Sequence, residues 1–309
     1  MKESNLTCDL TYCINIKVFK PNQNHSNRSS KQYQNLIYKP NYIKPVAKKE
    51  IIDYLETLYP IWENRFSDSN PPPEGEPNRE LLRPVYWLGN WQFASLDYYH
   101  PPKGIRNRCV QAEEYPSVLR KIVSEVEAEV RQNFSPKDVP DKWHLNTCLI
   151  NFYGNKIIAD PETGKVKKMD CARVGEHKDF EPGPVASISF GERAFFQFVK
   201  SEGKQQQSHM VLQQWLDDSS LQIFGGDKFK KQLFHRVQRV EDKGKLGSEL
   251  FAGLHTTSFE TRRINFTFRY VPTEHIFDLK ELPDNIQKDL KPYVSQLATH
   301  SDFWKQQLD

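Results

Sequence analysis

Residues 175–198 read GEHKDFEPGPVASISFGERAFFQF. On an extended strand successive side chains alternate faces, so His177 and Asp179 project side by side. An imidazole and a carboxylate placed this way can share a metal ion, although H-x-D by itself also fits a surface strand with polar residues. Pro182, Gly183 and Pro184 make a turn. Beyond it, residues 185–190 and 194–198 have the composition of buried strands, which predicts a hairpin about Gly191.

Two later stretches bear on the first. His235 lies in QLFHRVQRV, flanked by apolar residues. It would complete a two-His-one-carboxylate set with His177 and Asp179, the facial triad of non-haem Fe(II) oxygenases, which leaves half of the metal's positions open. Residues 263–269 read RINFTFR, with Arg263, Asn265, Thr267 and Arg269 alternating strictly with Ile264, Phe266 and Phe268. That is a period-two strand with one apolar face and one face of donors. The same alternation fits a strand half in water. Two arginines on one face with no acid between them would, if buried, call for an anion, and a dicarboxylate suits the planar guanidinium fork.

HKDFE, VASISFGERAFFQF, His235 and RINFTFR, in this order, resemble the AlkB family of Fe(II)- and 2-oxoglutarate-dependent dioxygenases. Upstream, Asn151-Phe152-Tyr153 matches the family's N-x-Y strand and NLIYKPNYI its entry segment, so the likeness spans roughly residues 35–272. The resemblance implies an α+β fold, a double-stranded β-helix (jelly-roll) with flanking helices. It implies Fe(II) on His177, Asp179 and His235, with O2 and 2-oxoglutarate as co-substrates. Arg263 would pair with the far carboxylate of 2-oxoglutarate, Arg269 and Asn151 would secure the near end, and Tyr153 and Asn265 would complete that pocket. It further implies oxidative demethylation of N-alkylated nucleobases in DNA or RNA, as in alkylation repair. Glu181 would accept from the exocyclic amine of the target base. Residues 83–110 would form a lid whose aromatic rings stack on the base, with Trp91, Tyr98 and Tyr99 as candidates. The rings also fit ordinary packing, and Glu181 also fits a solvated loop. A protein side-chain hydroxylase or demethylase, and a binding module with a vestigial iron site, remain the other readings.

The 309 residues suffice for one sizeable domain with extensions, and a net charge of +3 imposes no class of partner. The five cysteines, Cys8, Cys13, Cys109, Cys148 and Cys171, are odd in number and unpaired in spacing, which points to a reducing compartment. With no long apolar run and no signal-peptide pattern, the expectation is a soluble, intracellular monomer, cytoplasmic or nuclear, with no membrane partner.

Residues 1–34 read as a partly disordered extension with one short strand over residues 10–18. A helix is expected from about Lys48 with its stripe at Ile51, Ile52, Leu55 and Leu58, and another over residues 115–134. Residues 154–176 form an insert longer than the family's usual connection, with ADPETGK as a turn between two short strands. Residues 200–219 read as a polar connection. The basic residues Lys228, Lys230, Lys231, Arg236, Arg239, Lys243 and Lys245 could rim the site for a phosphate backbone, or be solvated strand charge. Residues 273–309 are expected to form helices, broken near Pro292, on the outside of the core.

Overall fold

A computed structural model describes residues 33–95, 109–200, 208–238 and 251–308. Tyr98, Tyr99 and the strand expected over residues 10–18 lie outside them, as do Arg239, Lys243 and Lys245. In chain order the elements are β1 (Leu36–Lys39), α1 (Pro45–Leu55), β2 (Val85–Leu88), β3 (Asn90–Gln92), β4 (Cys109–Gln111), α2 (Ser117–Asn133), β5 (Thr147–Ala159), β6 (Val166–Asp170), β7 (Val174–His177), β8 (Val185–Gly191), β9 (Ala194–Lys200), β10 (His209–Leu216), β11 (Ser220–Phe224), β12 (Phe234–Gln238), β13 (Phe259–Arg269), α3 (Asp284–Ala298) and α4 (Asp302–Leu308).

The strands form a jelly-roll of two facing antiparallel sheets. The larger runs β1-β11-β8-β13-β5-β2, with β6 paired to β5; the smaller runs β10-β9-β12-β7. The period-two pattern of β13 explains why the larger sheet has two different faces. Ile264, Phe266 and Phe268 are buried in one apolar cluster with Ile51 and Leu55 of α1 and with Leu119, Ile122, Val123, Val126 and Val130 of α2. Arg263, Asn265 and Arg269 take the other face, toward the smaller sheet. A second cluster gathers Val185, Phe196, Phe198, Phe224, Phe229 and Leu233, of which Phe196 and Phe224 line the cavity. The α2 stripe is buried as its spacing predicts, whereas in α1 Ile51 and Leu55 are buried, Ile52 is half-buried, and Leu58 is buried just past the helix's end. Pro45 opens α1, where a missing N–H costs nothing.

Three expectations are corrected. β8 and β9 do not pair with each other: β8 lies between β11 and β13, whereas β9 lies between β10 and β12. Gly191, at φ +80°, carries the chain across the corner from one sheet to the other. A Cβ there would come within 2.4 Å of the Arg262 carbonyl oxygen. Composition marks both strands as buried but does not say which neighbours they take. Residues 209–216 form β10, an edge strand whose half-exposed Gln213 and Gln214 disguised it as a polar connection. Finally, α3 runs through Pro292 unbroken and ends at Ala298, and the tail is part of the core: Leu290, Val294 and Trp304 are at most 1% exposed. The insert is as expected, β5 extending into it and β6 returning around a turn at residues 160–165.

Candidate metal centre and co-substrate pocket

His177 ends β7 and is the register partner of His235 on β12, so one strand pairing brings two imidazoles together with ring centroids 4.2 Å apart. The H-x-D spacing then carries Asp179 to within 3.3 Å of His235 Nε2. One ligand atom from each of the three residues falls within 4.8 Å of the others. His177 Nδ1 lies 2.8 Å from the Gly175 carbonyl, which fixes that nitrogen as the donor and leaves Nε2 for a metal. Arg269 Nε donates to Asp179 Oδ1 at 2.8 Å. Asp179 Oδ2 and His235 Nδ1 are buried and have no hydrogen-bond partner among the described residues.

The electrostatics suit a divalent cation. Burial, helped by the neighbouring positive charges, pushes both imidazoles below their ordinary range, His235 the further, so both are neutral ligands. Burial works against ionisation of Asp179, but the charges around it, the Arg269 guanidinium first among them, hold its carboxyl well below the usual carboxylate range. Two neutral nitrogens and one carboxylate oxygen, one of whose lone pairs is unused, are the donor set of the facial triad. The residues present therefore fit Fe(II).

Beside this set, Arg83, Asn151, Tyr153, Arg263, Asn265 and Arg269 line a common cavity. Arg263 is buried, with Nη2 on Ser189 Oγ at 3.1 Å and its plane 4.8 Å above the Tyr153 ring. Its Nε has no hydrogen-bond partner among the described residues. Burial pulls its guanidinium below the ordinary value, with Tyr153 opposing. Asn265 lines the same cavity, and its amide is tied to β8. Its Nδ2 serves Ser187, Ile188 and Ser189 on β8, and its Oδ1 accepts from Thr267, so it orders the Ser189 hydroxyl that holds Arg263. Arg83 was missed in the sequence. It stands just before β2, donates from Nε to Asn151 Oδ1 at 2.7 Å, and its guanidinium carbon lies 5.0 Å from the centre of the Tyr153 ring. An arginine leading into the apolar run VYWL was its signal.

A model of the 2OG-Fe(II) oxygenase superfamily matches residues 35–269. The chain belongs to this superfamily. Its members are oxidoreductases that use Fe(II), 2-oxoglutarate and O2, and the His177–Asp179–His235 set fits that iron. No curated protein matches. Among solved structures the chain is similar to OsALKBH1, at 20% identity and a TM-score of 0.46 over 77% of this chain and 99% of that one. It is also similar to a 2OG-Fe(II) oxygenase family oxidoreductase from Burkholderia pseudomallei, at 12% identity and a TM-score of 0.36 over 76% and 84%. A third is YcfD, a ribosomal oxygenase from Escherichia coli, at 10% identity and a TM-score of 0.31 over 88% and 66%.

The residues expected to touch substrate divide. Glu181 is buried beside the centre: Oε1 accepts from Gln92 Nε2 at 3.1 Å and lies 3.7 Å from Arg269 Nε, while Oε2 has no partner among the described residues. Trp91 does not reach the site. It is 1% exposed, its N–H goes to Glu63, and Phe93, Tyr293 and Trp304 stand edge-on around its ring, so no face is left for a base. The basic rim is largely spent. Lys231 pairs with Asp227, Arg236 with Glu176, and Lys228 sits over Tyr33. Cys109, Cys148 and Cys171 are free and buried. Among the described residues no helix is long and apolar enough to cross a membrane.

Proposed function

We propose that this chain is an oxidative demethylase of N-alkylated nucleobases in DNA or RNA, acting as a monomer. The observation that carries this reading is Glu181, a buried carboxylate two residues past a metal ligand, with an acceptor oxygen left unused among the described residues. An unsatisfied buried acceptor is costly unless a ligand supplies a donor, and an amino group on a base edge is such a donor. The AlkB-like order of motifs supports the same substrate class.

In this reading His177, Asp179 and His235 hold the iron. Arg263, steadied by Ser189 and Tyr153, receives the far carboxylate of 2-oxoglutarate. Arg269 and Asn151 flank its near end, with Arg83 fixing the Asn151 amide. When bound, iron with 2-oxoglutarate and O2 supplies the oxidation of an unactivated C–H bond. The chain's own part is orientation and exclusion of water. Arg269 keeps Asp179 ionised and correctly turned, and Phe196 and Phe224 give the cavity an apolar wall beside the histidines. The test is to incubate purified protein with Fe(II), 2-oxoglutarate and methylated single-stranded oligonucleotides or methylated peptides. Formaldehyde and succinate should be released with the oligonucleotides, and Glu181→Ala should lower that turnover and change which methylated base is preferred. Release with peptides alone would move the substrate to protein.

A further inference from the structure

β11 reads SLQIF. Its alternation sends Leu221 and Ile223 into the apolar cluster shared with α1 and α2, and puts Ser220, Gln222 and Phe224 on the opposite face. Gln222 and Phe224 line the cavity that also holds His177, Asp179 and His235. Gln222 is thus a neutral amide set in the wall of the metal cavity, and it is 1% exposed. Neither its Oε1 nor its Nε2 has a hydrogen-bond partner among the described residues. The sheet register makes this an exception. Gln222 stands opposite Ser187 on β8, and Ser187 opposite Thr267 on β13, so the three share one row across the wall. The polar side chains beside it are engaged with one another. Asn265 Nδ2 donates to Ser187 Oγ at 2.8 Å and to Ser189 Oγ at 3.2 Å, Thr267 Oγ1 donates to Asn265 Oδ1 at 2.9 Å, and Asn151 accepts from Arg83. Leu216, Phe196 and Phe224, which also line the cavity, have no polar side-chain atom to offer.

A buried amide with both ends unmet disfavours the fold, and an apolar side chain of similar length would not carry that cost. A ligand that enters the cavity removes it. The cavity selects an anion. Arg83, Arg236, Arg263 and Arg269 line it; Asp179 on the wall, Glu176 on Arg236 and Glu181 beside Arg269 offset three of the four, and a divalent metal adds further positive charge. The oxygens of a 2-oxo dicarboxylate are acceptors only, so such a ligand takes up the amide nitrogen. For the amide oxygen there is the facing Ser187 hydroxyl, which accepts from Asn265 and keeps its own proton to give.

We propose that Gln222 is a further co-substrate-binding residue: its Nε2 donates to an oxygen of 2-oxoglutarate, and the empty cavity keeps that donor unpaired at a cost in stability. Arg263 holds the ligand by charge, and Gln222 adds a neutral donor from the strand two places away in the same sheet. This rests on the co-substrate pocket described above. The test is a pair of measurements on the full chain loaded with Co(II): calorimetric titration with 2-oxoglutarate, and urea unfolding in its absence. Gln222→Met, similar in length and without a donor, should weaken 2-oxoglutarate binding by about tenfold or more and leave the urea midpoint unchanged or raised. Gln222→Leu, the second apolar variant, should do the same. Gln222→Glu, which sets a carboxylate against the ligand's own, should weaken binding further. Undiminished affinity in the Met and Leu variants, while Arg263→Ala still weakens binding, overturns the role of Gln222 alone. A fallen urea midpoint with undiminished affinity overturns it too, and makes the amide a structural group bridged by water. Affinity indifferent to both Gln222 and Arg263 overturns the pocket reading and this proposal together.

Discussion

Among single residues, Arg263 and the two histidines have the most direct consequences. Arg263 is a buried guanidinium whose Nε has no partner among the described residues, and it lines the same cavity as His177, Asp179 and His235. A charge-assisted hydrogen bond contributes about 1.5–3 kcal/mol. Arg263→Ala should therefore weaken 2-oxoglutarate binding by about tenfold to a hundredfold in calorimetry, while Co(II) affinity, set by His177, Asp179 and His235, stays as it was. The imidazoles fix a pH dependence. Both are pushed down, so as pH falls the folded chain takes up these protons later than the unfolded chain does. Their contribution to stability is fully present above the ordinary imidazole value of about 6.5 and is lost as pH falls through the lower folded values. In the folded protein, protons then compete with a metal only below that ordinary range. Co(II) affinity should be level from about pH 8 to about 6.5 and fall only beneath it; a decline setting in above neutrality would contradict desolvated, neutral imidazoles. His177, Asp179, His235 and the two arginines were readable in the sequence because each sits in a short pattern whose period fixes its face. Arg83 and Gln92 were not, because each reaches the site from a segment with no pattern of its own, through pairings that span much of the chain.

At the scale of elements, β3 shows how composition misleads. Its aromatic neighbourhood predicts stacking rings, yet Trp91 and Trp87 both donate to one buried carboxylate, Glu63, which also accepts from the Ala94 amide. Burial pushes the Glu63 carboxyl up, against those three donors. The ring-rich stretch is thus built around an internal acid, and a sequence does not say whether an indole N–H faces a ligand or a neighbour. The only part of β3 that meets the site is Gln92. Trp91→Ala should accordingly cost about 3–5 kcal/mol of stability in urea unfolding and leave the oligonucleotide affinity of the folded protein unchanged. Weakened binding with unaltered stability would return Trp91 to the substrate. The corner at Gly191 belongs to the same scale: two buried strands joined by a short turn satisfy a hairpin and a sheet crossing equally, and only the partners β10 to β13, distant in sequence, choose between them.

For the whole molecule, the question is where the folding unit ends. The superfamily match stops at residue 269, and the sequence alone placed everything past residue 272 outside the core. In the structure Leu282, Leu290, Val294, Leu297 and Trp304 are buried in the same apolar cluster as β13, α1 and α2. Trp304 packs edge-on to Trp91, and the Tyr293 hydroxyl accepts from the Asn64 amide. Burying a large apolar side chain contributes about 1.5–3 kcal/mol, so five of them match the roughly 5–15 kcal/mol by which a domain is stable at all. Deleting residues 273–309 should then leave no cooperative unfolding transition and an aggregating product, even though every proposed metal and 2-oxoglutarate residue is retained. The single substitution Trp304→Ala should lower stability by about 3–5 kcal/mol with Co(II) affinity intact. A truncated chain that unfolds cooperatively and still binds Co(II) would instead make the tail an appendage. The reason to expect otherwise is geometric. The face of the larger sheet turned away from the metal carries Ile264, Phe266 and Phe268, and α1 and α2 share its covering with the tail in one continuous cluster. Stripping one part of that cover would expose the strand whose opposite face holds Arg263 and Arg269.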